Sequence, residues 1–116
     1  MLWQNLTDIS QLQTIINISN EQSANGLTVL IFKHSTRCGT SAMALNRLES
    51  KWQGNENIQP YFLDLLAHRE ISTELADIFG VRHESPQVLL IRDGKCIYHN
   101  SHTGISYQDI IAAAAA

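Results

Sequence analysis

Short apolar runs rich in β-branched residues alternate along this chain with segments whose apolar residues recur at helical spacing, and that alternation constrains the fold more than any other feature. Leu27-Thr28-Val29-Leu30-Ile31-Phe32 is the clearest run and reads as a strand buried on both faces. Such a strand needs helices above and below it, and the chain supplies them. Thr7 or Asp8 offers an N-cap before a stripe of Ile9, Leu12, Ile15, Ile16 and Ser19. Ala42, Leu45, Leu48, Glu49 and Trp52 form a second amphipathic helix ending near Gly54, and Ile71, Leu75, Ile78 and Phe79 a third that Gly80 terminates. Trp3–Leu6 reads as a short first strand and Asn25-Gly26 as a break. Pro60 opens a strand over Tyr61–Leu65, and Pro86 precedes another over Gln87–Ile91. Asp93-Gly94 is a strong hairpin signal, with Lys95–His99 as the return strand. Ser106-Tyr107-Gln108-Asp109 has the form of a capping box and starts a last helix that runs into five alanines. The order β-α-β-α-β-α-β-β-α predicts one α/β domain, with parallel strands first and an antiparallel hairpin near the end.

At 116 residues with no linker-like stretch and no internal repeat, one domain accounts for the chain. Eight basic residues face eleven acidic ones with no basic run, which argues against sequence-independent nucleic-acid binding. The longest apolar runs fall far short of the ~20 residues of a membrane-spanning helix. Met1-Leu2-Trp3-Gln4-Asn5 lacks the basic and apolar regions of a secretion signal, so the expectation is a soluble cytoplasmic domain. Two cysteines, Cys38 and Cys96, are too few for a disulfide scaffold or a four-cysteine zinc site. In a reducing compartment both begin as free thiols.

Cys38 follows a buried strand and the polar loop Lys33-His34-Ser35-Thr36-Arg37, and it stands where a helix begins. Unpaired backbone N–H groups and the helix dipole favour an anion there, and a thiolate is such an anion. Arg37 and Lys33 add positive potential, Ser41 stands one helical turn on where its hydroxyl can donate to the sulfur, and alternation places His34 near the thiol. Cys38-Gly39-Thr40-Ser41 is thus C-x-x-S, a redox motif whose second cysteine is replaced by serine. A C-x-x-C pair expels its partner by internal attack; a single thiol can only take a small thiol from a mixed disulfide and then wait for an external thiol. The plain alternative is an exposed helix-start cysteine without a role.

Pro86 enters an apolar strand. A cis bond there would turn the Ser85 backbone toward the thiol and let it pair with an extended substrate, and a trans proline at a strand's first residue is the alternative. Cys96 reads as a small apolar side chain in the sheet. The five histidines are scattered, and His99-x-x-His102 at a strand end does not align two rings, so no metal site is expected. Lys51 and Arg69 read as solvated charges.

Lys33-His34-Ser35-Thr36-Arg37-Cys38, Glu84-Ser85-Pro86-Gln87-Val88, Asp93-Gly94-Lys95 and Ser101-His102-x-x-Ile105, in that order, resemble the monothiol bacilliredoxins, thioredoxin-like proteins linked to the low-molecular-weight thiol bacillithiol. The likeness spans nearly the whole chain. It implies a thioredoxin-like three-layer fold: a mixed central sheet flanked by helices, a terminal β-hairpin and a C-terminal helix, with Pro86 cis beside Cys38. It also implies removal of bacillithiol from S-bacillithiolated client proteins or from a partner bacilliredoxin. Cys38 is then the nucleophile, with Arg37, Ser41 and His34 stabilising its thiolate and Ser85 and Pro86 holding substrate. Bacillithiol would be a co-substrate and no cofactor would be tightly bound. Many members carry T-C-P-I where this chain has Arg37-Cys38-Gly39-Thr40, and a tryptophan where it has Thr103.

Three rival readings remain. Cys38-Gly39-Thr40-Ser41 also resembles the C-G-F-S of monothiol glutaredoxins that carry iron–sulfur clusters, but Thr40 replaces the phenylalanine and the later glycine pair is absent. A peroxidatic cysteine fits Ser35-Thr36-Arg37-Cys38 but lacks the upstream proline, Ile31 standing there. Low-molecular-weight phosphatase chemistry fails because Ala44 occupies the arginine position. A non-catalytic thioredoxin-like adaptor is the third.

Overall fold

A computed structural model describes residues 1–20 and 27–116. Asn25-Gly26, read as a chain break, lies outside the described residues. The elements run β1 (Gln4–Asn5), α1 (Ser10–Ser19), β2 (Thr28–His34), α2 (Gly39–Lys51), β3 (Ile58–Asp64), α3 (Arg69–Phe79), β4 (Gln87–Arg92), β5 (Lys95–Ser101), a 3₁₀ turn (His102–Gly104) and α4 (Tyr107–Ala115). This is the order the periodicity predicts. The five strands lie in the order β1-β3-β2-β4-β5. β1 and β2 run parallel to β3, and β4 runs antiparallel to both β2 and β5.

β2 lies at the centre, and all seven of its residues are buried. Its side chains alternate between two layers. Val29 and Ile31 join Leu12, Ile15, Ile71, Leu75, Leu89 and Ile91 under α1 and α3. Leu30 and Phe32 join Ala44, Leu48, Val88, Leu90 and Ile110 under α2 and α4. Fully burying each of these large side chains is worth roughly 1.5–3 kcal/mol, so the continuous apolar run is what commits the strand to the middle of the sheet.

Local signals set the ends. Gly80 stops α3 in the left-handed region, at φ 66° and ψ 30°. Asp93 and Gly94 both have positive φ, as a two-residue hairpin turn requires. The turn docks on the end of α1: Asp93 N–H donates to the Ser19 carbonyl at 2.8 Å and Gly94 N–H to Ser19 Oγ at 2.9 Å. Ser106 Oγ accepts the Asp109 N–H at 3.3 Å and caps α4.

The structure differs from the sequence reading in several places. α1 starts at Ser10, although Asp8 still serves its start by accepting the Ser10 N–H at 2.8 Å. Ile9 and Ile78, read as core, are exposed, because each sits at the margin of its helix's apolar stripe. Pro60 lies inside β3 instead of opening it. Phe62 turns its carbonyl toward β1, accepting the Leu6 N–H at 2.8 Å, so by the period of two Pro60 presents its donorless nitrogen on that same side. There it falls short of the two residues that β1 pairs, where no ladder bond is lost. Among the described residues no helix is long and apolar enough to cross a membrane.

Candidate active site

β2 delivers the chain to the site. After His34 it turns, with Cys38 N–H donating to the Ser35 carbonyl at 3.1 Å. Cys38 is the N-cap residue of α2, with extended backbone at φ −110° and ψ 119°, and its carbonyl accepts the Ala42 N–H at 3.1 Å. Its side chain is half-buried and makes no capping hydrogen bond. The sulfur therefore stands free at the amino end of a 13-residue helix, where backbone N–H groups and the dipole favour negative charge.

Ser41 and His34 do not meet the sulfur as expected. Ser41 is fully buried, its Oγ accepts the Ser35 N–H at 3.1 Å, and it lies 2.7 Å from His34 Nδ1. The Ser35 N–H and the His34 ring thus engage the hydroxyl on the strand side, and among the described residues it makes no hydrogen bond to Cys38. His34 is buried against Phe32 and Phe62, with ring centroids 6.1 and 5.3 Å away. Burial pushes its pKa below the usual histidine value, against the opposing pull of Asp64 and Glu49, so it is neutral near pH 7. The physical reason is strand alternation, which puts His34 on the α2 face beside Phe32. There the first inward-facing residue of α2 meets its ring. The pair pins the loop that carries Cys38. Arg37 is exposed and makes no side-chain hydrogen bond or ion pair among the described residues.

The second loop comes from β4. The Ser85–Pro86 peptide is cis. Gln87 pairs with Lys33 across β2 and β4, so Pro86 falls at the level of His34, at the sheet end from which the Cys38 loop departs. The Pro86 carbonyl accepts the His102 N–H at 2.9 Å, and Ser101 Oγ donates to the Glu84 carboxylate. His102 Nε2 lies 3.7 Å from that carboxylate, on the surface. Ser85 Oγ is buried and has no hydrogen-bond partner among the described residues, which is uncommon in a folded chain.

One chain of contacts escaped the sequence reading. Lys33, taken there as a source of potential near the thiol, lies on the opposite face of β2 from His34. Its Nζ lies 2.7 Å from His83 Nδ1 and donates to Gln87 Oε1 at 3.0 Å. Ser72 Oγ reaches the same His83 nitrogen at 3.1 Å. The sequence pattern places Lys33 in the polar loop after the buried run, whereas β2 extends through His34 and buries Lys33 with it. Among the described residues, no group of three or more His, Cys, Asp or Glu side chains is placed to hold a metal ion.

Residues 4–110 match the family of monothiol bacilliredoxin BrxC, nearly the whole chain. The chain belongs to the monothiol bacilliredoxin family. Solved structures agree on the fold. A thioredoxin-fold protein proposed to be an oxidoreductase is 26% identical, with 97% of this chain and 92% of that one covered and a TM-score of 0.78. The thioredoxins of Malassezia sympodialis (16% identity, 98% and 89% covered, TM-score 0.71) and Trypanosoma brucei brucei (12%, 97% and 87%, 0.73) share the fold. The architecture is thus thioredoxin-like. Family and fold together support thiol redox chemistry.

Proposed function

We propose that the chain removes bacillithiol from S-bacillithiolated client proteins, or from a partner bacilliredoxin, by single-cysteine exchange in a reducing cytoplasm. The Cys38 thiolate attacks the bacillithiol sulfur of the mixed disulfide. A Cys38–bacillithiol disulfide forms, the client–bacillithiol bond breaks, and the client leaves as a thiolate that takes a proton from water. An external thiol then attacks the adduct and regenerates Cys38. Each step is an exchange of one disulfide for another, so no tightly bound cofactor or metal enters. The observation that carries the reading is the half-exposed Cys38 at the start of α2, in a motif whose second position is the buried, hydrogen-bonded Ser41. Ser85 and Pro86 would receive the client backbone.

Intact mass after incubation with a bacillithiol-modified client, and separately with a glutathione-modified one, tests this. The expected result is gain of the bacillithiol mass on Cys38 with release of reduced client. Equal transfer from the glutathione client would remove the preference for bacillithiol. No transfer from either would sink the exchange reaction and favour the cluster-carrier or adaptor readings.

A further inference from the structure

Among the described residues Lys33 is the only lysine, arginine, aspartate or glutamate taken out of water, at 1% exposure. Among the described residues no carboxylate lies within ion-pair distance of it, and its hydrogen-bond partners there, His83 Nδ1 and Gln87 Oε1, are neutral groups. Burying a cation in that way costs stability that a well-packed apolar side chain would not. Those partners, however, stand near the two ends of one loop. Gln87 Nε2 also donates to the Arg82 carbonyl at 3.0 Å, which closes the arrangement into a ring around residues 82–87. Inside that ring lie Glu84, Ser85 and Pro86.

We propose that Lys33 is a positioning residue for exchange with protein clients: its buried ammonium latches both ends of the Arg82–Gln87 loop and so fixes the Ser85–Pro86 backbone. This rests on the reading that a client lies against that backbone. The opposite side of the loop is held separately, through Glu84 to Ser101 and Pro86 to His102. Lys33 holds the side toward α3.

The protonation states fit the latch. Burial pushes Lys33 down to about 8, with Glu84 pulling the other way. Partial burial and then the Lys33 charge push His83 below the ordinary histidine value, Glu84 again opposing. Near pH 7 the lysine is charged and the histidine neutral, which makes Nδ1 an acceptor and Nζ the donor. Acid turns His83 into a second cation facing Lys33. The other charged groups around them are Arg82 and Glu84 on the loop and Arg69 and Asp77, which line the cleft that His83 shares with α3.

The test is Lys33→Met, with His83→Ala as a second variant at an exposed position that leaves the sheet untouched. Amide hydrogen exchange over residues 82–87 is read beside KM for an S-thiolated protein and for bis(2-hydroxyethyl) disulfide. In Lys33→Met the loop amides should exchange faster and the client KM should rise roughly tenfold, with a much smaller change for the small disulfide. Thermal stability should stay level or rise, which a merely structural lysine does not predict. His83→Ala should move the same readouts in the same direction by less. Unchanged loop exchange overturns the latch, and faster loop exchange with an unchanged client-to-small-disulfide ratio overturns its role in positioning. A wild-type protein that transfers no thiol at all overturns the functional reading alone, because loop exchange in the variants still decides the latch.

Discussion

Cys38 and Cys96 are both half-buried, yet their surroundings oppose one another. Cys38 stands where a loop becomes a helix, its sulfur uncommitted, at the amino end of α2. Cys96 lies in β5, packs against the core under α1 and α3, and directs its thiol to the Tyr98 carbonyl at 3.3 Å. Burial pushes the Cys96 pKa up, with hydrogen bonds from the backbone opposing. What separates them is the backbone: one sulfur meets the positive end of a helix and the other an edge-strand carbonyl and apolar side chains.

The largest test of that contrast exchanges the roles of the two thiols. Cys38→Ser should abolish transfer of the small thiol from a client, a loss to background, whereas Cys96→Ala should keep most of it. The check is the rate of reduced-client release in each variant. Equal losses would break the comparison, since a second thiol would then take part.

Much of this contrast was legible in the sequence. A buried apolar run, a polar loop and a helical stripe are enough to place Cys38 at a helix start, because each is a local pattern. Asp93-Gly94 and the flanking runs place Cys96 in a hairpin for the same reason. What stayed hidden depends on non-local pairing. Ser41 lies one turn beyond Cys38, and spacing alone allows its hydroxyl to reach either the sulfur or the strand. Only the packing of α2 on the His34 face of β2 decides between them. Lys33 reads as the first residue of a polar loop; that β2 runs on through it and that Gln87 partners it follow from β2 pairing with β4, and strand order leaves no periodic trace. Pro60 likewise reads as a strand opener until the two-residue length of β1 is known.

A second test sharpens the contrast by loosening only one side. Ser41→Ala strips the loop of its pin, leaving His34 Nδ1 and the Ser35 N–H without their partner, at a cost of about 1–3 kcal/mol. Denaturant unfolding measures that cost. Alkylation by iodoacetamide, followed residue by residue, should change at Cys38 and stay constant at Cys96. Lost stability with an unaltered Cys38 rate would mean that the Ser41–His34 pair supports the fold but does not set the thiol's surroundings.

The smallest effect concerns the alkaline limb of stability. Cys96 has its pKa raised in the folded state, so between the ordinary thiol value and the raised one the native protein holds a proton that the unfolded chain has released. Its contribution is therefore present below the unfolded value and is lost as pH rises through the folded one. Lys33 acts with the opposite sign: its pKa is lowered to about 8, so the unfolded chain binds the extra proton and stability climbs from there toward the ordinary lysine range. The two slopes overlap and partly cancel in the wild-type protein. They separate in the difference between wild type and Cys96→Ala, where Lys33 is common to both. That difference should be constant below the thiol range and should shift in favour of Cys96→Ala as the solution becomes more alkaline. A difference that stays flat through the alkaline range would mean that Cys96 ionises as freely in the fold as out of it, and the contrast with Cys38 would then rest on the helix start alone.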